Sequence, residues 1–139
     1  PAMEWFTLHV FALVLTAILF GGMTFFMAFF APMVFRHLPR DVAAEFMRAL
    51  FPKYFSVMGT VSVLPLFVLL PIPAYRSEGY AILVVAVLFF AARGMLLPAL
   101  QRQRDTGNDR VAAVLHRTSV LIHLAQWAVV AVVLIRLAA

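Results

Sequence analysis

The sequence predicts an all-α polytopic membrane protein: a four-transmembrane-helix bundle with a short interfacial amphipathic helix between helices 1 and 2. Three observations carry that expectation. Of the 139 residues, 65% are hydrophobic and only 12% charged, whereas roughly a quarter of residues are charged in soluble domains. The mean hydropathy is +1.00. Four apolar stretches, at about residues 5–35, 54–75, 80–100 and 112–138, each supply the roughly 20 helical residues that a hydrocarbon core requires. Residues 1–139 are therefore expected to form a single four-helix transmembrane domain.

The first stretch opens on Trp5, a residue type suited to the membrane interface. It has no basic segment before it and exceeds the roughly 7–15 residues of a signal-peptide core, so it is expected to be a retained helix. Pro32 should bend it near Ala28 or end it soon after, because proline lacks an N–H and its ring clashes with the carbonyl four residues back. Ala17, Gly21, Thr24, Ala28 and Ala31 recur at helical spacing and should allow close helix approach.

Between Pro39 and Pro52, Val42, Phe46, Ala49 and Leu50 share a helical face opposite Asp41, Glu45 and Arg48, the pattern of a helix lying in the interface. Pro52 then suits the first turn of the second span. Within that span Ser56, Gly59, Thr60 and Ser62 offer small or hydroxyl surface, Pro65 should kink the helix, and Pro71 with Pro73 should end it. The third span is expected from about Tyr80 to Leu100, weakened at Pro98, followed by a surface loop from Gln101 to Arg110 that is turn-like at Asp105, Thr106, Gly107 and Asn108.

Orientation follows from the loops. Arg36, Arg40, Arg48 and Lys53 lie between spans one and two, and Arg102, Arg104, Arg110 and Arg117 between spans three and four; the other side has only Arg76 and Arg136. The positive-inside rule makes both basic loops cytoplasmic in the plasma (inner) membrane and puts the termini outside. The net charge of +5 is accordingly assigned to the lipid bilayer, with Arg36, Arg40, Arg48 and Lys53 as headgroup contacts, and no nucleic-acid partner is expected. With no cysteine in the chain, disulfides, a thiolate nucleophile and thiolate metal sites are excluded.

Chemistry concentrates on the fourth span. His116, Ser119, His123 and Gln126 fall within roughly an 80° arc at about 100° per residue, and lipid cannot satisfy such groups, so they must face other helices, a ligand or water. Two explanations fit: interhelical hydrogen bonds that set register, or a ligand pocket or polar pathway, with Arg93 of the third span as its neighbour or as a snorkelling anchor. No cofactor is predicted. The alternatives left open are haem on His9 or His123 and a soft cation such as copper on the thioethers of Met23 and Met27. His116 and His123 are about 10 Å apart along one helix and cannot flank one haem iron. The six acidic residues, Glu4, Asp41, Glu45, Glu78, Asp105 and Asp109, all sit at or beyond span ends. That disfavours carboxylate-coupled transport and leaves no acid in the spans to orient a serine–histidine pair, so an enzyme is the least supported class.

The run Phe35-Arg36-His37-Leu38-Pro39-Arg40, followed by Leu50-Phe51-Pro52-Lys53-Tyr54-Phe55, resembles the transmembrane protein 205 family, as do Arg93 with Leu97-Pro98 and His116 with Ser119. The family carries asparagine where this chain has His123. The resemblance implies a four-helix membrane protein without an assigned activity, and the association of the animal relative with resistance to platinum drugs implies export, sequestration or trafficking. The expectation is thus a transport, resistance or membrane-organising component with a polar interior, acting as a homo-oligomer or within a larger membrane complex. Its competitors are a haem- or metal-binding redox subunit and a structural scaffold.

Overall fold

The computed structural model describes the backbone from Ala2 and the side chains from Phe6; the interfacial anchor expected of Trp5 lies outside the described residues. Four helices are long and apolar enough to cross a membrane: α1 (Phe6–His37), α2 (Arg40–Leu69), α3 (Pro73–Asp105) and α4 (Asp109–Ala138). No strand occurs among the described residues. Neighbouring pairs are α1 with α2, α2 with α3, α3 with α4 and α4 with α1, leaving α2 and α4 across a diagonal.

The distribution of side chains is that of a membrane bundle. Phe67 and Met95 are each 73% exposed and Leu121 is 66% exposed, while Thr16, Ser62, Glu78, His123 and Gln126 are buried. A large apolar exterior is stable only against lipid or a partner, whereas buried polar groups need internal partners. Thr16 and Ser62 find theirs on their own helices, donating to the carbonyls of Ala12 and Met58.

Prolines shape every helix but α4. In α1 the turn Phe26–Phe30 is widened so that Ala31 N–H reaches Phe26 O, five residues back. In α3 the turn Ala92–Leu96 widens in the same way, with Leu97 N–H on Ala92 O. Each wide turn is centred four residues before a proline, Pro32 or Pro98, where the ring would otherwise strike a carbonyl. Pro65 is accommodated oppositely, by tightening: Phe67 and Val68 donate to carbonyls three residues back. Beyond Leu69 the chain turns through Pro71 into Pro73–Tyr75.

Three boundaries differ from the sequence expectation. The amphipathic stretch after Pro39 is helical, but it is no separate element: one helix runs from Arg40 to Val63 with Pro52 in its interior. A proline forfeits only one hydrogen bond, here to the Arg48 carbonyl, and packing of Ala43 and Met47, both buried, holds the preceding turns in line. The third helix begins well before Tyr80, and the loop after it shrinks to Thr106, Gly107 and Asn108 because α3 continues through Asp105. Gly107 takes the left-handed conformation, φ 77°, and Asn108 Oδ1 accepts from Val111 N–H to start α4.

The small-residue stripe on α1 packs inward only in part: Thr24 meets Trp127 of α4 and Ala31 lines a cavity, and the other three face outward. Ala17, Gly21 and Ala28 are exposed, and a Cβ on Gly21 would meet nothing within 4 Å. The close approaches lie elsewhere. A Cβ on Gly59 would come 2.8 Å from the Phe90 ring, and one on Gly79 would come 2.8 Å from Leu70 and 3.2 Å from the Leu69 backbone. Because backbone cannot give way as a ring tip can, Gly79→Ala should destabilise the detergent-solubilised protein by about 1–3 kcal/mol. Gly21→Ala should be neutral or stabilising by up to about 1 kcal/mol. Thermal melts of the two variants side by side check this.

Candidate functional site

The polar stripe of α4 splits into two halves with different surroundings. Its deeper half is fully engaged. His123 Nε2 shares a hydrogen bond of 2.7 Å with Tyr54 OH across the α2–α4 diagonal, and Gln126 Nε2 donates to Val85 O of α3 at 2.9 Å. Next to them, Trp127 Nε1 donates to Thr24 Oγ1 of α1 at 2.8 Å, and Thr24 passes its own proton to Phe20 O. Within little more than one turn, α4 is thus bonded to each of the other three helices. Tyr54 stacks on Phe26 with centroids 3.8 Å apart, and Phe89 meets the His123 ring edge-on at 6.0 Å, which excludes water from the bond and strengthens it.

Towards the basic loops, the other half has no such partners. His116 is exposed, Ser119 is half-buried, and Ser119 Oγ merely donates to His116 O. Here the bundle opens into two adjoining cavities. One, of about 290 Å³ between α2, α3 and α4, is lined by Arg48, Arg93, Gln101, Arg104, His116 and Ser119, with Phe51, Phe55 and the two prolines Pro52 and Pro98. The other, of about 320 Å³ between α1, α2 and α4, is lined mainly by Phe26, Met27, Phe35, Tyr54, Val120, His123 and Leu124. Phe51, Phe55, His116 and Ser119 border both. The Tyr54–His123 bond closes the second cavity at its inner end.

Each wide turn contributes a wall. The one before Pro98 carries Arg93 into the arginine-lined cavity, and the one before Pro32 carries Phe26 and Met27 into the aromatic cavity. Arg48, Arg93 and Arg104 form no ion pair among the described residues; Gln101 Nε2 instead donates to Asp105 Oδ1, one turn on in α3, at 2.8 Å. Arg48, Arg93 and Arg104 thus line one small cavity that no carboxylate lines, and arginine presents its N–H groups in a fork that matches oxyanions.

The remaining candidates scatter. Arg36, Arg40 and Lys53 are exposed at the basic end and do not line the cavities, so Arg48 alone of the four expected headgroup contacts joins the site. Met23 is fully buried in the core while Met27 faces the aromatic cavity. His9 Nδ1 is bonded to Tyr75 OH at 2.7 Å near the opposite end, roughly 25 Å along α1 from Phe26 at about 1.5 Å per residue, so it cannot share a ligand with His123. No three His, Asp or Glu side chains gather as a metal site among the described residues.

One ion pair, between a buried Glu78 and an exposed Arg136, was not expected. Glu78 is 8% exposed and binds Arg136 Nε at 2.8 Å and Ser77 Oγ at 3.0 Å. Its signal in the sequence was that Glu78 and Arg136 are opposite charges near the same end of neighbouring helices.

Residues 14–109 match a family described as a domain of unknown function (DUF4149). The chain belongs to that family. The matched region holds α2, α3 and most of α1, and so Arg48, Tyr54, Arg93 and Arg104, but it stops at the start of α4. No curated protein matches the chain. No solved structure matches it.

A double-mutant cycle on Tyr54→Phe and His123→Leu should return a coupling energy of about 0.5–2 kcal/mol, in the range of hydrogen bonds between membrane helices. The measurement is unfolding of the purified protein in mixed micelles; additive effects would mean that the bond does not join α2 to α4.

Proposed function

We propose that the protein is a small membrane component acting in transport, resistance or membrane organisation, and that it acts by binding an oxyanion in the cavity between α2, α3 and α4. The observation that carries this reading is the convergence of Arg48, Arg93 and Arg104, from two helices, on a cavity that no carboxylate enters and that His116 and Ser119 complete. Guanidiniums confined together repel one another, and a bound anion relieves that repulsion while gaining charge-assisted hydrogen bonds. The likeness to the transmembrane protein 205 family supports a resistance or trafficking role over a catalytic one. The distribution of Lys and Arg supports an inner-membrane orientation with the cavity open to the cytoplasm and the termini outside. An exposed small-residue stripe on α1 supports assembly as a homo-oligomer, because it leaves a face on which a second backbone can lie close.

Inorganic phosphate titrated onto the protein in zwitterionic lipid nanodiscs should bind, and Arg93→Gln or Arg104→Gln should each weaken binding by about tenfold or more, the effect of losing roughly 1.5–3 kcal/mol of charged hydrogen bonding. Unaltered affinity in both variants would refute an anion site.

Iron, copper and zinc measured on untagged protein purified without chelator should each fall well below one per chain. His9 and His123 are each tied to a tyrosine and stand far apart in depth, and Met23 is sealed in the core. Stoichiometric iron or copper would instead favour the redox alternative.

A further inference from the structure

Resting on the anion-site reading, we propose that the ligand is an amphiphile with one oxyanionic head and a single hydrocarbon chain, the head held by Arg48, Arg93 and Arg104 and the chain lying in the aromatic cavity. The two cavities are contiguous, since Phe51, Phe55, His116 and Ser119 border both. Both are largely apolar, and they differ in the charged groups at their walls. Arg48, Arg93, Arg104 and Gln101 line only the first, whereas Phe26, Met27, Phe35, Val120 and Leu124 line only the second and carry no charge.

A free inorganic anion uses only the first cavity and leaves the second without a role. An amphiphile uses both, because head and chain are joined in the molecule as the two cavities are joined in the protein. At the shared border the His116 and Ser119 side chains are the polar groups, and they stand where the linking oxygen of a phosphoester would pass from head to chain.

Size selects one chain over two. The aromatic cavity, at about 320 Å³, equals roughly ten waters at about 30 Å³ each, which is room for the first part of one chain. Its inner end is closed by the bond between Tyr54 and His123, and Phe26 lies flat on Tyr54, so the chain stops at that floor or turns outward to the lipid. Each cavity alone is at or below the small end of ligand pockets, roughly 300–1,000 Å³, while the joined pair falls within that range.

The test compares inorganic phosphate, butyl phosphate and octyl phosphate on the full chain in zwitterionic nanodiscs, with empty nanodiscs subtracted for partitioning. Octyl phosphate should bind at least tenfold tighter than inorganic phosphate, with butyl phosphate between them; the ceiling is roughly fourfold per methylene. Arg93→Gln should weaken all three. Ala31→Phe, which fills the aromatic cavity from α1, should abolish the advantage of octyl phosphate and spare inorganic phosphate; Val120→Phe does the same from α4 should the first variant fail to fold. Equal affinities with Arg93 dependence would overturn the amphiphile and leave the anion site standing. Octyl phosphate binding that ignores both Arg93→Gln and the cavity-filling variants would be membrane partitioning, and would overturn the proposal. No binding by any of the three would overturn both readings.

Discussion

The turn of α4 from His123 to Trp127 is the constraint on which the rest of the structure depends. Helices within a bilayer have no hydrophobic reason to associate, because lipid chains are as apolar as leucine. Close packing and a few hydrogen bonds must hold them. Here three side chains on one turn reach α2, α3 and α1 in order, through Tyr54, the Val85 carbonyl and Thr24. Each bond is worth on the order of 1 kcal/mol, too little to account for the fold. What they supply is register: sliding α4 by one turn would leave an imidazole, an amide and an indole N–H unpaired in an apolar interior, and that alternative is the costly one. With α4 fixed, His116 and Ser119 are carried two turns nearer the basic loops, where no side chain of another helix bonds them and Ser119 Oγ donates only to the His116 carbonyl.

Proline explains why that end is open. α1, α2 and α3 each carry a proline in the half nearer the basic loops, Pro32, Pro52 and Pro98. Two of the three are preceded by a wide turn, and the third lies within a helix that continues past it. A wide turn adds a residue to the helical circuit, so side chains before and after it change faces relative to a regular helix. Arg93 lies in one of these turns and lines the first cavity, and Phe26 opens the other and stacks on Tyr54. The prolines therefore act at a distance of about one turn, through the backbone geometry they force on the residues before them.

Much of this was legible in the sequence, and the failures share a cause. The four spans, the bend at Pro32 and the Gly107 turn followed from composition and from single-residue chemistry. The inward stripe on α4 followed from periodicity, and its deeper half proved to be the helix-joining one. Periodicity could not tell that His123 and Gln126 would be buried while His116 stayed open, because that depends on where the neighbouring helices diverge. For the same reason the stripe of Ala17, Gly21, Thr24, Ala28 and Ala31, expected to allow close helix approach, divides: Thr24 and Ala31 face the bundle while Ala17, Gly21 and Ala28 lie outside. The α2 error was local. Pro52 reads as a helix start, yet burial of Ala43 and Met47 outweighs one missing hydrogen bond. The Arg48, Arg93 and Arg104 cluster was invisible because it joins two helices, with one member assigned to lipid and another to a loop.

The Tyr54–His123 bond also bears on what the proposed anion site could do. It spans the bundle's diagonal, and both of its residues line the aromatic cavity at the end away from Phe35 and His116. A solute crossing the membrane through this bundle would have to break that bond and separate Phe26 from Tyr54, undoing part of what holds α1, α2 and α4 in register. Binding and retention require no such rearrangement. Transport is thus the more demanding of the roles open to this fold: it needs a second arrangement in which α4 gives up its diagonal partner and finds others. Sequestration or local organisation of an anionic membrane component is compatible with the bundle as it stands. The bond that fixes the fold is, for that reason, also the gate that any through-pathway would have to open.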